Sequence, residues 1–122
     1  MKKFTVYIAS PYTKPEGKQL ENTLKSFDIF NELVKLDFIP YAPLTSHFIH
    51  ECYPQDYKFW LEYDLIWLKK CDFILRLPGE SEGADKEVKF AIENKIDVFY
   101  TIDDIIKKKE YYSQFKKDVN NG

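Results

Sequence analysis

Two carboxylates stand out in this chain as residues that could act on a bond rather than only decorate a surface. The first is Asp64. At about 100° per residue, Tyr57, Trp60, Leu61, Leu65, Trp67, Leu68 and Cys71 form one apolar stripe, and Asp64 falls near its middle. A bare carboxylate is costly to bury, so Asp64 must be paired, hydrogen-bonded or functional. The second is Glu87, which follows the glycine-containing run from Gly79 to Gly83 and sits in the first turns of a predicted helix. An acidic residue there complements the helix dipole. The same position keeps a carboxylate ionised, as a nucleophile requires.

The run before Glu87 can present the backbone amides around Gly79, Ser81 and Gly83 to a ligand at a helix start. It is not a P-loop and lacks the Gly-x-Gly-x-x-Gly order of a dinucleotide fold. Glu80, Glu82 and Asp85 would repel a phosphate; Arg76, the only arginine of the chain, and Lys86 are the nearby charges that offset them. His47, His50 and Cys52 match no common zinc spacing, so no metal is expected. His47 follows a strand end and is expected to be a substrate contact or proton donor. No cofactor is expected: the loop after the first strand lacks the Ser/Thr/Gly-rich cradle of a flavin carrier.

The elements that must position these groups follow from the apolar pattern. Residues 4–9, 38–41, 73–77 and 97–101 are short runs rich in β-branched and aromatic residues and read as strands. Helical spacing recurs at Leu20, Leu24, Phe27, Phe30, Leu33 and Val34, with Pro15 as a candidate opening residue. Further helices are predicted over 56–70 and 84–94, and a closing amphipathic helix carries Ile102, Ile105, Ile106, Tyr112 and Phe115. Residues 42–55, with two prolines, read as a long loop. Alternating strands and helices point to a parallel sheet of four to five strands covered on both faces, an α/β, flavodoxin-like (Rossmann-like) three-layer domain. Right-handed crossovers make 2-1-3-4 the leading order. Ligands in such sheets bind where the strand order reverses. Here the loops that meet there carry Ser10, Pro11, Tyr12 and Thr13 on one side and residues 78–83 on the other.

A length of 122 residues, with 44% hydrophobic and 17% aromatic residues, fits a single domain over 1–122. A formal charge of −2 gives no electrostatic reason to expect a nucleic-acid polymer or a membrane as partner. The first apolar run is far too short to span a bilayer. With no secretory signal and no cysteine framework, a cytoplasmic setting is expected. Phe59, Tyr63 and Ile66 form a second apolar patch away from the Leu61–Leu65–Leu68 stripe, which predicts a homo-oligomer, most simply a two-fold dimer, unless the 42–55 loop covers it.

Three segments taken together resemble the nucleoside 2-deoxyribosyltransferase superfamily, which includes the nucleoside 5′-monophosphate N-glycosidases. They are Val6 to Pro11 (VYIASP), Tyr63 to Asp72 (YDLIWLKKCD), and Ser81 to Glu87 (SEGADKE) continuing to Ala91. The similarity looks closest to a branch of short bacterial and phage proteins, the domain of unknown function 1937 group. The resemblance implies that Glu87 attacks an anomeric carbon to form a glycosyl-enzyme intermediate, that Tyr7 holds that carboxylate, and that Asp64 belongs to the site. It implies a nucleoside or nucleoside 5′-monophosphate as substrate, cleaved by water or transferred to a second base. Ser81 matches a phosphate-contacting serine, whereas Tyr12-Thr13-Lys14 stands where the phosphate-binding enzymes carry an arginine. Arg76 or Lys14 would have to take that part. The other reading on the same scaffold is a non-catalytic protein that binds or sequesters a nucleotide.

Overall fold

The structure, a computed structural model, describes the backbone of residues 3–121 and the side chains of residues 3–114. The apolar position expected at Phe115 therefore lies outside the described side chains. β1 spans Thr5–Ala9, and every residue from Val6 to Ala9 is fully buried. A strand buried on both faces needs apolar side chains at successive positions, which is why this run shows no polar alternation. It is followed by α1 (Gln19–Lys35), β2 (Ile39–Tyr41), a 3₁₀ turn at Pro43–Thr45, α2 (Ser46–Cys52) and α3 (Tyr57–Leu68). β3 (Phe73–Arg76), α4 (Glu82–Glu93), β4 (Asp97–Phe99) and α5 (Ile102–Asn121) complete the chain.

The four strands form one parallel sheet in the order β2-β1-β3-β4. Its register is set by the pleat and by one polar clamp. Asp72 accepts from the Thr5 amide (2.9 Å) and hydroxyl (3.1 Å), and its own amide donates to the Thr5 hydroxyl (2.8 Å). Slipping either strand by one residue would break this clamp and turn each apolar face inside out. Val6, Ile8, Phe73 and Leu75 point to one face and pack with Leu33 of α1 and Ile105 of α5. Tyr7, Ala9 and Ile74 point to the other, with Leu68 of α3 and Ala84 and Ala91 of α4. This division follows from crossover handedness. The chain steps one way from β1 to β2 and the opposite way from β2 to β3, so right-handed connections put α1 and α3 on opposite faces.

Three expectations are corrected. Pro15 opens no helix; α1 starts at Gln19, after a turn in which Gly17 takes a positive φ of 78°. Nor does α1 bury the face marked by Leu20, Leu24, Phe30 and Val34, all of which are exposed. It buries Asn22, Thr23, Ser26 and Leu33. Thr23 and Ser26 can be buried because their hydroxyls donate to the helix carbonyls of Gln19 (2.8 Å) and Thr23 (2.7 Å), leaving neither unsatisfied. Asn22 is turned inward by a different bond, described below. Finally, residues 42–55 are not a loop throughout: Pro43 starts the 3₁₀ turn and α2 follows it directly. Seven residues are too few for a periodic signal, and helices this short depend on tertiary packing.

Candidate active site

The carboxyl ends of β1 and β3 open into a cavity of about 560 Å³ at the reversal of strand order. This is where open α/β sheets bind ligands. It collects side chains from four separate parts of the chain: the loop after β1, α2, α3 and the start of α4.

Glu87 lies on its floor, 6% exposed, so it is a buried residue rather than one at the site's edge. The Tyr7 hydroxyl donates a short hydrogen bond to Glu87 Oε2. Tyr7 is itself fully buried, and burial together with the Glu87 charge holds its phenol well above its ordinary range, so it stays a proton donor. Burial pushes the Glu87 carboxyl up to about 8; the Tyr7 bond and the Arg76 charge pull it down, while the neighbouring Asp64 raises it. The helix start alone therefore does not keep Glu87 ionised.

Asp64 also lines the cavity. Burial pushes its carboxyl up to about 7, and its Oδ1 is buried without a hydrogen-bond partner. A tie to a backbone amide, the structural alternative for this residue, is absent at that oxygen. The stripe around Asp64 is divided: Leu65, Leu68 and Cys71 pack in the core, and others of its members turn to the cavity. Leu68 alone in α3 is buried; Tyr57, Trp60 and Leu61 form a cavity wall. Near neutral pH the two carboxyls act as a unit that prefers to keep one proton, because each desolvated anion opposes ionisation of the other. The Tyr7 bond lowers Glu87 without cancelling its burial, so Glu87, at about 8 against about 7 for Asp64, gives up its proton last; the form ready to attack is the one in which the pair's single proton sits on Asp64.

The β1 loop supplies Ser10 and Tyr12. Asn22 fixes this loop, its side-chain amide donating to the Tyr12 (3.0 Å) and Lys14 (2.9 Å) carbonyls, and that explains its inward place on α1. The Tyr12 hydroxyl lies 2.6 Å from Nδ1 of His47, which is buried and lines the cavity. Ser81 and Gly83 line it from the start of α4. The Ser81 hydroxyl is the N-cap, accepting from the Ala84 amide at 3.0 Å.

Tyr7, Pro11, Arg76 and Gly79 do not appear in the lining. Tyr7 stands behind Glu87. Gly79 has a φ of 116°, and a Cβ there would come within 3.0 Å of Pro11 Cγ, so the two loops touch at a point that only glycine fits. Arg76 braces that junction. Its guanidinium donates to the carbonyls of Leu77 and Gly79 and pairs with Asp85 at 2.9 Å. Its charge reaches Glu87 from behind.

Sequence reasoning missed the roles of Asn22, Tyr57 and Trp60, and weighed His50 only as a metal ligand. The available signal was Asp64 itself, since a carboxylate centred on an apolar stripe marks that stripe as the wall of a site. For Asn22 no signal was present, because its partners are carbonyls of another loop. Among the described residues no group of three or more His, Cys, Asp or Glu is arranged to hold a metal ion, and no helix is long and apolar enough to cross a membrane.

Among solved structures the chain is similar to a 2-deoxyribosyltransferase from the psychrotolerant bacterium Bacillus psychrosaccharolyticus, with 19% identity, a TM-score of 0.52, and coverage of 77% of this chain and 69% of that one. At this identity the likeness establishes the α/β fold. Comparison with curated proteins finds no match. The sequence resemblance named the domain of unknown function 1937 group; the family model that matches, over residues 4–101, is a different one. The chain belongs to the family described as domain of unknown function DUF7768.

Proposed function

We propose that this protein cleaves or exchanges the N-glycosidic bond of a nucleoside. The observation that carries this reading is the pair of desolvated carboxyls itself: Glu87, bonded to Tyr7 and held up to about 8, beside Asp64, held up to about 7, in one cavity. A Glu87 oxygen attacks the anomeric carbon as the carbon–nitrogen bond breaks. The bonding electron pair goes to the base nitrogen, which takes the proton of Asp64. Asp64, now ionised, deprotonates a water or a second base, whose attack on the same carbon releases Glu87 as carboxylate. Tyr7 keeps the nucleophile in place, and Tyr12 with His47 forms the wall beside it. The fold of the similar 2-deoxyribosyltransferase is consistent with this chemistry.

The lining favours an unphosphorylated ligand. Lys14 is its only lysine, facing Asp64, Glu80, Glu82 and Glu87, while Arg76 is committed to the loop junction. Incubation with 2′-deoxynucleosides and their 5′-monophosphates is expected to release free base, fastest from the nucleosides. Binding without base release would instead support a sequestering protein, and no binding of either would remove the reading.

The same proposal includes a homodimer through α3. Phe59, Tyr63 and Ile66 are 43%, 39% and 62% exposed, so α2 does not cover them, and Trp67 extends the patch. A contiguous aromatic face of this kind marks a partner surface, and a two-fold pair is the simplest closure. Light scattering at micromolar concentration should give twice the chain mass, and Ile66→Lys should return it to the monomer value. A monomeric wild type would overturn the assembly.

A further inference from the structure

His50 is used neither by the carboxylate chemistry nor by the core. It stands on α2 and lines the cavity with Gln55 and Trp60. Its Nδ1 accepts two N–H groups, from the Trp60 indole at 2.9 Å and the Gln55 amide at 3.2 Å. A ring nitrogen that accepts two donors cannot carry a proton, so the neutral ring holds its proton on Nε2. The Trp60 ring meets it edge-on, with centroids 6.1 Å apart and planes at 71°. Among the described residues Nε2 has no hydrogen-bond partner of its own, and it is left as a donor of fixed orientation. His47 differs, since Tyr12 lies on its Nδ1 and Glu51 is 3.9 Å from its Nε2.

The surroundings say what that donor would meet. Leu44, Tyr57, Trp60 and Leu61 give the cavity an apolar and aromatic wall, suited to a flat ring. Trp60 precedes Asp64 by one helical turn on α3, and both line the same cavity as His50. A sugar hydroxyl both gives and accepts and would not need a locked donor, whereas a base edge presents either an acceptor or an N–H at a given position.

We infer that His50 is a specificity-determining residue, donating Nε2–H to an in-plane acceptor of the leaving base, and that Trp60 is a positioning residue that fixes its tautomer. This rests on the nucleoside reading above. A fixed donor penalises a base that presents N–H or C–H there, because the donor is then left unpaired.

The test uses the full chain carrying Glu87→Gln, so that ligand is bound without turnover, and the four common 2′-deoxynucleosides as probes. At saturation the nitrogen-edited proton signal of His50 Nε2–H is expected to move downfield and exchange more slowly. His50→Phe should weaken binding of the preferred nucleoside at least ~10-fold and flatten the affinity ratio between the best and worst bases. Trp60→Phe, which keeps a ring but loses the indole donor, should reduce that ratio while leaving the fold intact. Nucleosides that bind with the His50 signal unmoved, or with the ratio unchanged in both variants, would overturn the inference alone. Absence of any nucleoside binding would overturn the parent reading and this inference with it. Should His50→Phe fail to fold, the His50 signal and the Trp60→Phe ratio still decide.

Discussion

Glu87→Gln is expected to abolish base release, lowering kcat by about 10⁴-fold or more, while making the protein more stable. The loss follows from the chemistry, because an amide cannot attack the anomeric carbon or leave again as a carboxylate. The gain follows from burial. The Glu87 carboxyl is raised from an ordinary 4.5 to about 8, so between these values the folded state binds a proton that the unfolded chain has released. Folding stability therefore falls as pH rises through that window. Glutamine resembles the protonated form, retains an acceptor for the Tyr7 hydroxyl and does not titrate. The variant should melt roughly 5 °C or more above wild type at pH 8, with the difference shrinking toward pH 4. Paired melting curves and base-release assays across this range check it. A variant that is less stable than wild type at pH 8, or that turns over at the wild-type rate, would sink the assignment. Activity and stability moving in opposite directions is what a site held against its own solvation cost requires.

Asp64→Asn is the second substitution with a large expected effect, and its signature is a change in pH profile and substrate dependence. In wild type the productive state is the singly protonated pair, so kcat/KM should pass through a maximum between about 7 and 8 and fall on either side. Asparagine cannot protonate the leaving base. The rate at the optimum should drop about 10²- to 10³-fold, and the alkaline limb should disappear. The acid limb should remain, because Glu87 must still lose its proton to attack. A nucleoside whose base is already cationic, such as an N7-alkylated purine, needs no proton to depart and should be cleaved by Asp64→Asn at close to the wild-type rate. Glu87→Gln should fail on both substrates. An Asp64→Asn enzyme with an unchanged pH profile would show that Asp64 is not the acid. One that loses stability rather than gaining it above pH 4 would show that its carboxylate was tied into the structure after all.

The opposite demands on the two carboxyls also explain why their surroundings differ. Tyr7 rises from β1 directly beneath Glu87 and donates to it, which favours the anion. Nothing donates to Asp64 Oδ1, so only desolvation acts on that carboxyl and raises it to about 7. Two acids of the same chemistry are separated by one hydrogen bond, and that bond comes from a residue outside the cavity lining.

The sequence by itself determined which residues are in trouble if buried, and which elements recur. Strand runs bounded by proline or glycine and helices of regular spacing are local properties, so the order of elements and the 2-1-3-4 sheet were legible, given that crossovers are right-handed. Asp64 on its apolar stripe and Glu87 after its glycine run were legible for the same reason. What periodicity cannot encode is which faces from distant parts of the chain converge. The face of α1 that turns inward was settled by Asn22 finding carbonyls in the β1 loop, against the apolar count along the helix. Arg76, a candidate ligand contact from charge alone, became a loop brace because Gly79 and Asp85 fold within its reach. α2 exists because α1 and the 3₁₀ turn give a short segment something to pack on, Phe48 meeting Phe27, and with it come His50 and its lock on Trp60. The raised carboxyls are likewise tertiary: desolvation is a property of everything packed around a group, and no spacing of residues along a chain contains it.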